Sequence, residues 1–345
     1  MKAVLVRAHG GLDALSCEDI PTPEPGPGEV RVAVRAVGAN HLDTWVRRGV
    51  PGHTFPLPLI LGSDVAGIVD AVGAGAAGLS AGDRVVLAPG VSCGSCAACL
   101  SGRDNQCRTY GLLGEHRDGG AADFIVVPRQ NVLALPAALT FEQAAAVPIT
   151  FLTAWHMLVS RAAIRPGETV LVHAAGSGVG SAAIQIAKLW GATVITTASS
   201  AAKCQRAAEL GADHVLDTGR QDFAAAVRDL TGRRGVDVVV EHVGAATWAG
   251  SVRSLAWHGR LVTCGATTGA DVGLNLRQVF FKSLSILGST MGSKGELVEV
   301  LGHLAAGRLR PIIDRVLPLA DAAEAHRLLE AREVFGKVVL VTEGA

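Results

Sequence analysis

Aromatic side chains are scarce in this chain: eight Phe, five Trp and a single Tyr make up 4% of its 345 residues. Against 42 glycines, that scarcity points to a fold of many tight turns and close backbone contacts. Neither sign of charge is in excess, with Lys+Arg and Asp+Glu balanced at 31 each. The balance argues against nucleic acid or an anionic membrane as the main partner, since either favours a basic surplus or patch. No apolar run reaches the ~18 residues that cross a bilayer, because Gly, Pro or charge interrupts each one. The start, Met1-Lys2-Ala3-Val4-Leu5-Val6-Arg7, reads as a strand without the apolar core and cleavage site of a signal peptide, so a cytoplasmic location is expected. In that compartment seven cysteines are better read as thiols or metal ligands than as a disulfide framework.

The chain is long enough for two domains of about 150 residues each. Up to about residue 135 it reads as mostly β, with short alternating or β-branched runs at Lys2–Ala8, Glu29–Val37, Asp64–Val72, Asp83–Ala88 and Ala122–Val127. Turn signals such as Pro21–Gly28 and Ala81-Gly82-Asp83 separate them. A small irregular barrel is the expected fold. From about residue 140 the pattern changes to a helix over Phe141–Ser160, broken at Pro148, followed by strand–helix alternation. Strands are expected at Thr169–Ala175, Thr193–Thr197, His214–Leu216, Val236–Val243, Arg260–Cys264 and Ser285–Leu287. Six such strands with helices between them describe a doubly wound parallel sheet, so the fold class is α/β. The tail adds helices at Lys294–Ala306 and Ala320–Ala331 and strands at Ile312–Leu317 and Lys337–Val341, expected to pack back on the first domain.

Two stretches carry chemistry. Thr169–Ala175 followed by Gly176-Ser177-Gly178-Val179-Gly180 reads as strand, glycine-rich turn and helix start, a geometry that aims backbone N–H groups at a pyrophosphate. Measured against G-x-G-x-x-G, Ala175 and Ser177 replace the first two glycines and only Gly180 remains. The second stretch is Cys93-Gly94-Ser95-Cys96-Ala97-Ala98-Cys99, then seven intervening residues and Cys107. Four thiolates at that spacing match a closed tetrahedral zinc site, structural because protein fills every position. A redox-active C-x-x-C and an iron–sulfur cluster are the alternatives. Cys17, Cys204 and Cys264 read as buried thiols.

Barrel, cysteine lobe, helix, six-stranded sheet and returning tail, in this order, resemble the medium-chain dehydrogenase/reductase superfamily over essentially the whole chain. The resemblance implies a GroES-like β-barrel catalytic domain at 1–140 with the structural zinc lobe at 93–107. It further implies a Rossmann cofactor domain at 141–291 and a segment at 292–345 that returns to the first. Where the zinc alcohol dehydrogenases of this superfamily carry Gly-x-Cys-His-Ser/Thr-Asp, this chain has Gly38-Ala39-Asn40-His41-Leu42-Asp43. Where they carry Gly-His-Glu, it has Gly62-Ser63-Asp64, and Pro148–Thr153 offers no third ligand. One zinc per chain, that of the lobe, is therefore expected. Asn40, Asp43 and Asp64 instead resemble the quinone oxidoreductase branch, which works without catalytic metal. There Asn40 would donate a hydrogen bond to the developing enolate, and Asp43 would orient it or merely bond local N–H groups. His41 would approach the pyrophosphate or simply pack in its loop. Asn40, Trp45, His53 and Phe55 are expected around the substrate.

The second strand of the cofactor domain ends without the acid that binds the ribose 2′-hydroxyl of NAD. Ser199, Ser200 and Lys203 stand there instead, which invites the 2′-phosphate of NADPH, although the two serines also suit a helix cap. Further cofactor contacts are expected from Val243, from Gly265-Ala266-Thr267 and from Ser289-Thr290 at strand ends. By resemblance, Thr153, Phe280 and Lys337 join them. Glu115-His116 with His53 could be drawn as a replacement metal site, but their separation in sequence lends it no support. The expected activity is NADPH-dependent hydride transfer to a quinone or an α,β-unsaturated carbonyl, by a homodimer or homotetramer. A zinc-dependent alcohol or aldehyde dehydrogenase with an atypical site, or a non-catalytic nucleotide-binding protein, is the alternative.

Overall fold

The structure, a computed structural model, describes residues 1–342. The chain divides into two compact units, one made of Met1–Ile149 with Ser293 onward and the other of Thr150–Gly292. Residues Phe141–Ile149, expected in the cofactor domain, thus belong to the first unit, and the boundary falls inside the helix Pro148–Trp155.

In the first unit the strand Glu29–Gly38 is central. Its alternating pattern turns Val30, Val32, Val34 and Ala36 into the core. It pairs antiparallel with Asp64–Val72, with Phe124–Pro128 and, at its far end, with Lys337–Val341. These lie in a seven-stranded sheet, and a three-stranded sheet runs Leu15–Asp19, Lys2–Val6, Leu59–Ile60. Both sheets share one core that includes Val6, Leu59, Val65, Leu87, Ile125 and Val338. Register matters for function: Gly38 stands opposite Asp64 on one side and Val339 on the other. That pairing brings Asn40, Asp64 and Lys337 to one sheet end, although 297 positions separate Asn40 from Lys337.

Two local features depart from expectation. Residues His41–Arg48, where no element was expected, form a helix opened by Asn40 as N-cap. The helix expected over Phe141–Ser160 is divided at Pro148 as anticipated, into Phe141–Ala145 and Pro148–Trp155, and what differs is the wider i→i+5 turn that continues it over His156–Arg161. Thr140 and Gln143 form a capping box at the first, and Pro148 begins the second, where its missing N–H costs nothing.

The second unit is a six-stranded parallel sheet. Its spatial order is His214–Asp217, Thr193–Ala198, Thr169–Val172, Val236–Glu241, Leu255–Thr263, Ser285–Gly288. Counted in chain order this is 3-2-1-4-5-6, the doubly wound arrangement whose switch point lies beyond the carboxyl end of the first strand. Leu171, Ile195, Val239, Leu255 and Leu261 fill its core. The fourth strand stops at Glu241, two residues short of expectation, because the Glu241 carboxylate takes the next amides for itself. No helix among the described residues is long and apolar enough to cross a membrane.

Candidate active site and cofactor turn

In the first unit a buried charge cluster forms where the register predicts. The Lys337 ammonium, 5% exposed, donates to Oδ1 of Asn40 at 2.6 Å and to Oδ2 of Asp64 at 2.8 Å. Asp64, fully buried, also accepts the Asn40 amide at 3.0 Å and the Ile149 backbone N–H at 2.6 Å. Asn40 spends its other N–H on the Gly38 carbonyl at 3.1 Å. This orientation of the amide is the one the neighbours demand, with its oxygen toward a cation and its nitrogen toward two acceptors. Both amide protons of Asn40 are therefore committed inside the protein, which corrects the expectation that they bond a substrate enolate. The proton left over belongs to Lys337: an ammonium has three, and the third has no partner among the described residues. Lys337, expected at the cofactor, is thus fixed to Asp64 and Asn40.

Asp43 serves the backbone. Its carboxylate accepts the Asn40 N–H at 2.7 Å and the Gly62 N–H at 3.2 Å, tying the helix start to the loop before Asp64. Burial is the largest influence on it and, against those bonds and nearby Lys337, pushes its pKa up to about 6. Gly62 cannot be replaced: its φ is +93°, and a Cβ there would lie 2.9 Å from the Ala121 nitrogen. Ser63 donates to the Leu113 carbonyl at 2.7 Å. Burial, with the charges of Lys337 and Arg332, pushes the His41 pKa down and keeps this imidazole neutral. The Asn40–Asp64 pair is not a metal-ligand set, since a cationic side chain already lies between its oxygens.

The lobe is a different case. The sulfur pairs Cys96–Cys99, Cys93–Cys107 and Cys93–Cys99 lie 3.5, 3.6 and 3.9 Å apart. A tetrahedron with Zn–S bonds of about 2.3 Å has edges of about 3.8 Å, so the four thiols fit zinc. They are also far too distant for disulfides. Cys17, expected to be buried, is exposed on its strand, and Cys204 and Cys264 are half-buried.

In the second unit the turn after Thr169–Val172 bends through Ala174, a non-glycine residue at φ +51°. Ser177 caps the helix Gly178–Leu189, its hydroxyl accepting the Gly180 N–H at 2.9 Å and meeting His242 Nε2 at 3.0 Å. The first-turn N–H groups of Gly178 and Val179 have no intrahelical acceptor, the arrangement that receives phosphate. Gly180 is obligatory, because a Cβ there would sit 2.2 Å from the Ala174 carbonyl oxygen.

Sequence reasoning missed what supports this turn. Glu241, fully buried, accepts the N–H groups of Val243 and Gly244 at 2.7 and 3.1 Å and the hydroxyls of Thr247 and Ser251 at 2.8 and 2.6 Å. Ser251, donating to Glu241, must accept from His173 Nε2 at 2.8 Å, so the His173 proton is on Nε2 and its Nδ1 accepts from Thr197 at 3.3 Å. Burial keeps His173 neutral. Thr197 completes the chain by accepting the Ala174 N–H at 3.0 Å. The only clue in the sequence was an acid inside an otherwise apolar strand, Val236–Val243.

Of the remaining expected contacts, Thr267 donates to the His242 carbonyl and Gly265-Ala266 follow the fifth strand, half-buried. The hydroxyl of Ser289, beside Thr290, is buried without a partner among the described residues, as a ligand-facing donor would be. Thr153 is buried, its hydroxyl 3.7 Å from the Met291 sulfur. Ser200 caps the helix Ala201–Glu209 through the Lys203 N–H, next to exposed Ser199. Phe280 is 63% exposed.

Residues 26–137 match the family described as alcohol dehydrogenase GroES-like domain, and residues 178–306 match that described as zinc-binding dehydrogenase. A quinone oxidoreductase of Pseudomonas aeruginosa is 35% identical, with 99% of each chain covered. The chain belongs to the medium-chain dehydrogenase/reductase superfamily. A 2-haloacrylate reductase of a Burkholderia species is another relative, 30% identical over 99% of both chains. A crystal structure described as an NAD-dependent alcohol dehydrogenase superposes with a TM-score of 0.95 at 52% identity, covering 99% of each chain. Like other members of the superfamily, this chain is an NAD(P)H-dependent oxidoreductase that binds a nicotinamide dinucleotide.

Proposed function

We propose that this superfamily member transfers hydride from NADPH to a quinone or an α,β-unsaturated carbonyl without a catalytic metal ion. The observation that carries this reading is the Lys337 ammonium, held where zinc-dependent relatives would begin their ligand set, between Asn40 and Asp64. Quinones and enones are already electrophilic, so they need positioning and a hydrogen bond rather than Lewis-acid activation. When bound, the nicotinamide supplies the hydride to the electrophilic carbon. The electron pair moves to the carbonyl oxygen, where the unspent proton of Lys337 is the donor the cluster offers, and water supplies the proton that completes reduction. Asp64 and Asn40 hold Lys337 in place, and Asp43 fixes the backbone of Asn40 and Gly62 around it. Glu241 and His173 position the second unit's cofactor loops.

The same reading assigns the 2′-phosphate to Ser199, Ser200 and Lys203, with no acid at Ala198 to repel it. The description of the 52%-identical structure as NAD-dependent favours a second reading, with NADH as donor and an alcohol–aldehyde pair as substrate. For assembly we propose pairing through the sheet edge at Ser285–Gly288, beside which Leu276, Phe280 and Phe281 are 63–69% exposed. Steady-state oxidation of NADPH and of NADH by benzoquinone and by an enone, beside alcohol oxidation with NADP and NAD, tests the proposal. Fast turnover with NADPH and an electrophile supports it. Alcohol oxidation alone overturns it.

A further inference from the structure

We propose that His53, Glu115 and His116 form a second metal site, for a divalent first-row transition ion of the zinc type. The fold brings together what the sequence separates. His53 follows the turn after the helix His41–Arg48, its N–H on the Val50 carbonyl at 3.1 Å. Glu115 and His116 sit on the turn after the short strand Gly111–Leu112, both N–H groups on the Leu112 carbonyl at 3.3 and 3.0 Å. One ligand atom from each of the three lies within 4.8 Å of the others. The imidazole nitrogens stand 3.8 Å (His53 Nε2) and 3.5 Å (His116 Nδ1) from the Glu115 carboxylate oxygens. A tetrahedral ion with bonds of about 2.0–2.2 Å needs ligand separations of about 3.3–3.6 Å, so side-chain movements of up to about 1 Å complete the geometry.

The surroundings favour a cation. The Glu115 side chain is only 15% exposed, and its ion-pair partners are these two imidazoles, with no Lys or Arg within 4 Å among the described residues. A carboxylate so withdrawn from water gains from a metal charge. Phe55 fixes the His53 ring at 4.5 Å between centroids, and the two imidazoles stand 6.0 Å apart. Nδ1 of His116 accepts the Leu112 N–H at 3.2 Å, and coordination exchanges that long bond for a metal bond. Two imidazoles and a carboxylate suit zinc, cobalt or nickel and disfavour calcium and magnesium, which take oxygen ligands. With His53 and His116 41% and 45% exposed, a fourth position is open to water or an oxygen ligand. No step of the hydride transfer is assigned to this site, although His53 is also among the residues expected around the substrate.

The test uses the full chain with its lobe zinc retained, titrated with cobalt(II) and followed by calorimetry and visible absorption. One further saturable equivalent at micromolar cobalt is expected, with d–d bands but no thiolate-to-cobalt charge transfer. The double variant H53A/H116A should weaken it by at least about 100-fold, beyond what outer-shell changes cost. Glu115→Gln should weaken it less, both variants keeping wild-type zinc content and melting temperature. Absence of the second equivalent, its survival in H53A/H116A, or a thiolate charge-transfer signature would overturn the proposal.

Discussion

Two buried carboxylates anchor the two units, and they are neutralised in opposite ways. Asp64 is held by a full cation, Lys337, contributed by a strand 273 positions away in sequence. Glu241 is held by neutral donors, two backbone N–H groups and two hydroxyls, all within ten positions of it. The first arrangement welds distant segments together, and losing one charge strands the other without solvent. The second braces a loop, and losing the charge costs only some of the hydrogen bonds.

Breaking the first should therefore hurt most. Lys337→Met leaves Asp64 buried and unpaired and should lower unfolding free energy by about 3–5 kcal/mol in urea titrations. The double variant K337M/D64N should recover much of that, and a strictly additive double variant would mean that the two groups do not act as a pair. Glu241→Gln should cost less, about 1–3 kcal/mol, while raising the Kd for nicotinamide dinucleotide measured by fluorescence. A stability loss equal to that of Lys337→Met would erase the contrast.

The contrast extends to pH through Asp43, which is neither paired like Asp64 nor ringed by hydroxyls like Glu241. Its folded pKa of about 6 lies above the ~4 of an unfolded aspartate, so the folded state holds the proton more tightly between those values. Its contribution to stability is greatest below about pH 4 and is lost as pH rises toward 6. Asp43→Asn should flatten that part of the stability profile, measured by denaturant titration from pH 4 to 7. The smallest effect is expected at the surface: Lys203→Ala should weaken NADPH about tenfold, leave NADH unchanged and leave melting untouched. Equal loss for both nucleotides would remove the 2′-phosphate from that end of the strand.

What the sequence disclosed follows the range of each interaction. The six parallel strands, the glycine-rich turn with its helix start and the close-set cysteines were legible because each is written in contiguous residues, by periodicity, glycine or cysteine spacing. The helix His41–Arg48 was not, since its eight residues include β-branched and aromatic side chains and its cap is the residue that resembled a ligand position. The role of Asn40 was misread for a related reason. Only strand register places Lys337 and Asp64 against its amide, and no local pattern announces register across 297 positions. The approach of His53 to Glu115 and His116 is likewise invisible in sequence, since it depends on where the turn after Gly111–Leu112 is carried by the fold.

The measurement that bears most directly on the central claim follows a deuteride. Protein carrying zinc only in its cysteine lobe is mixed with an enone and NADPH carrying deuterium at both C4 positions of the nicotinamide, and the product is read by mass spectrometry and NMR. One deuterium at the β-carbon is expected, with no metal ion added beyond the lobe zinc. Unlabelled product, or reduction that occurs only after a second metal ion is added, would contradict it.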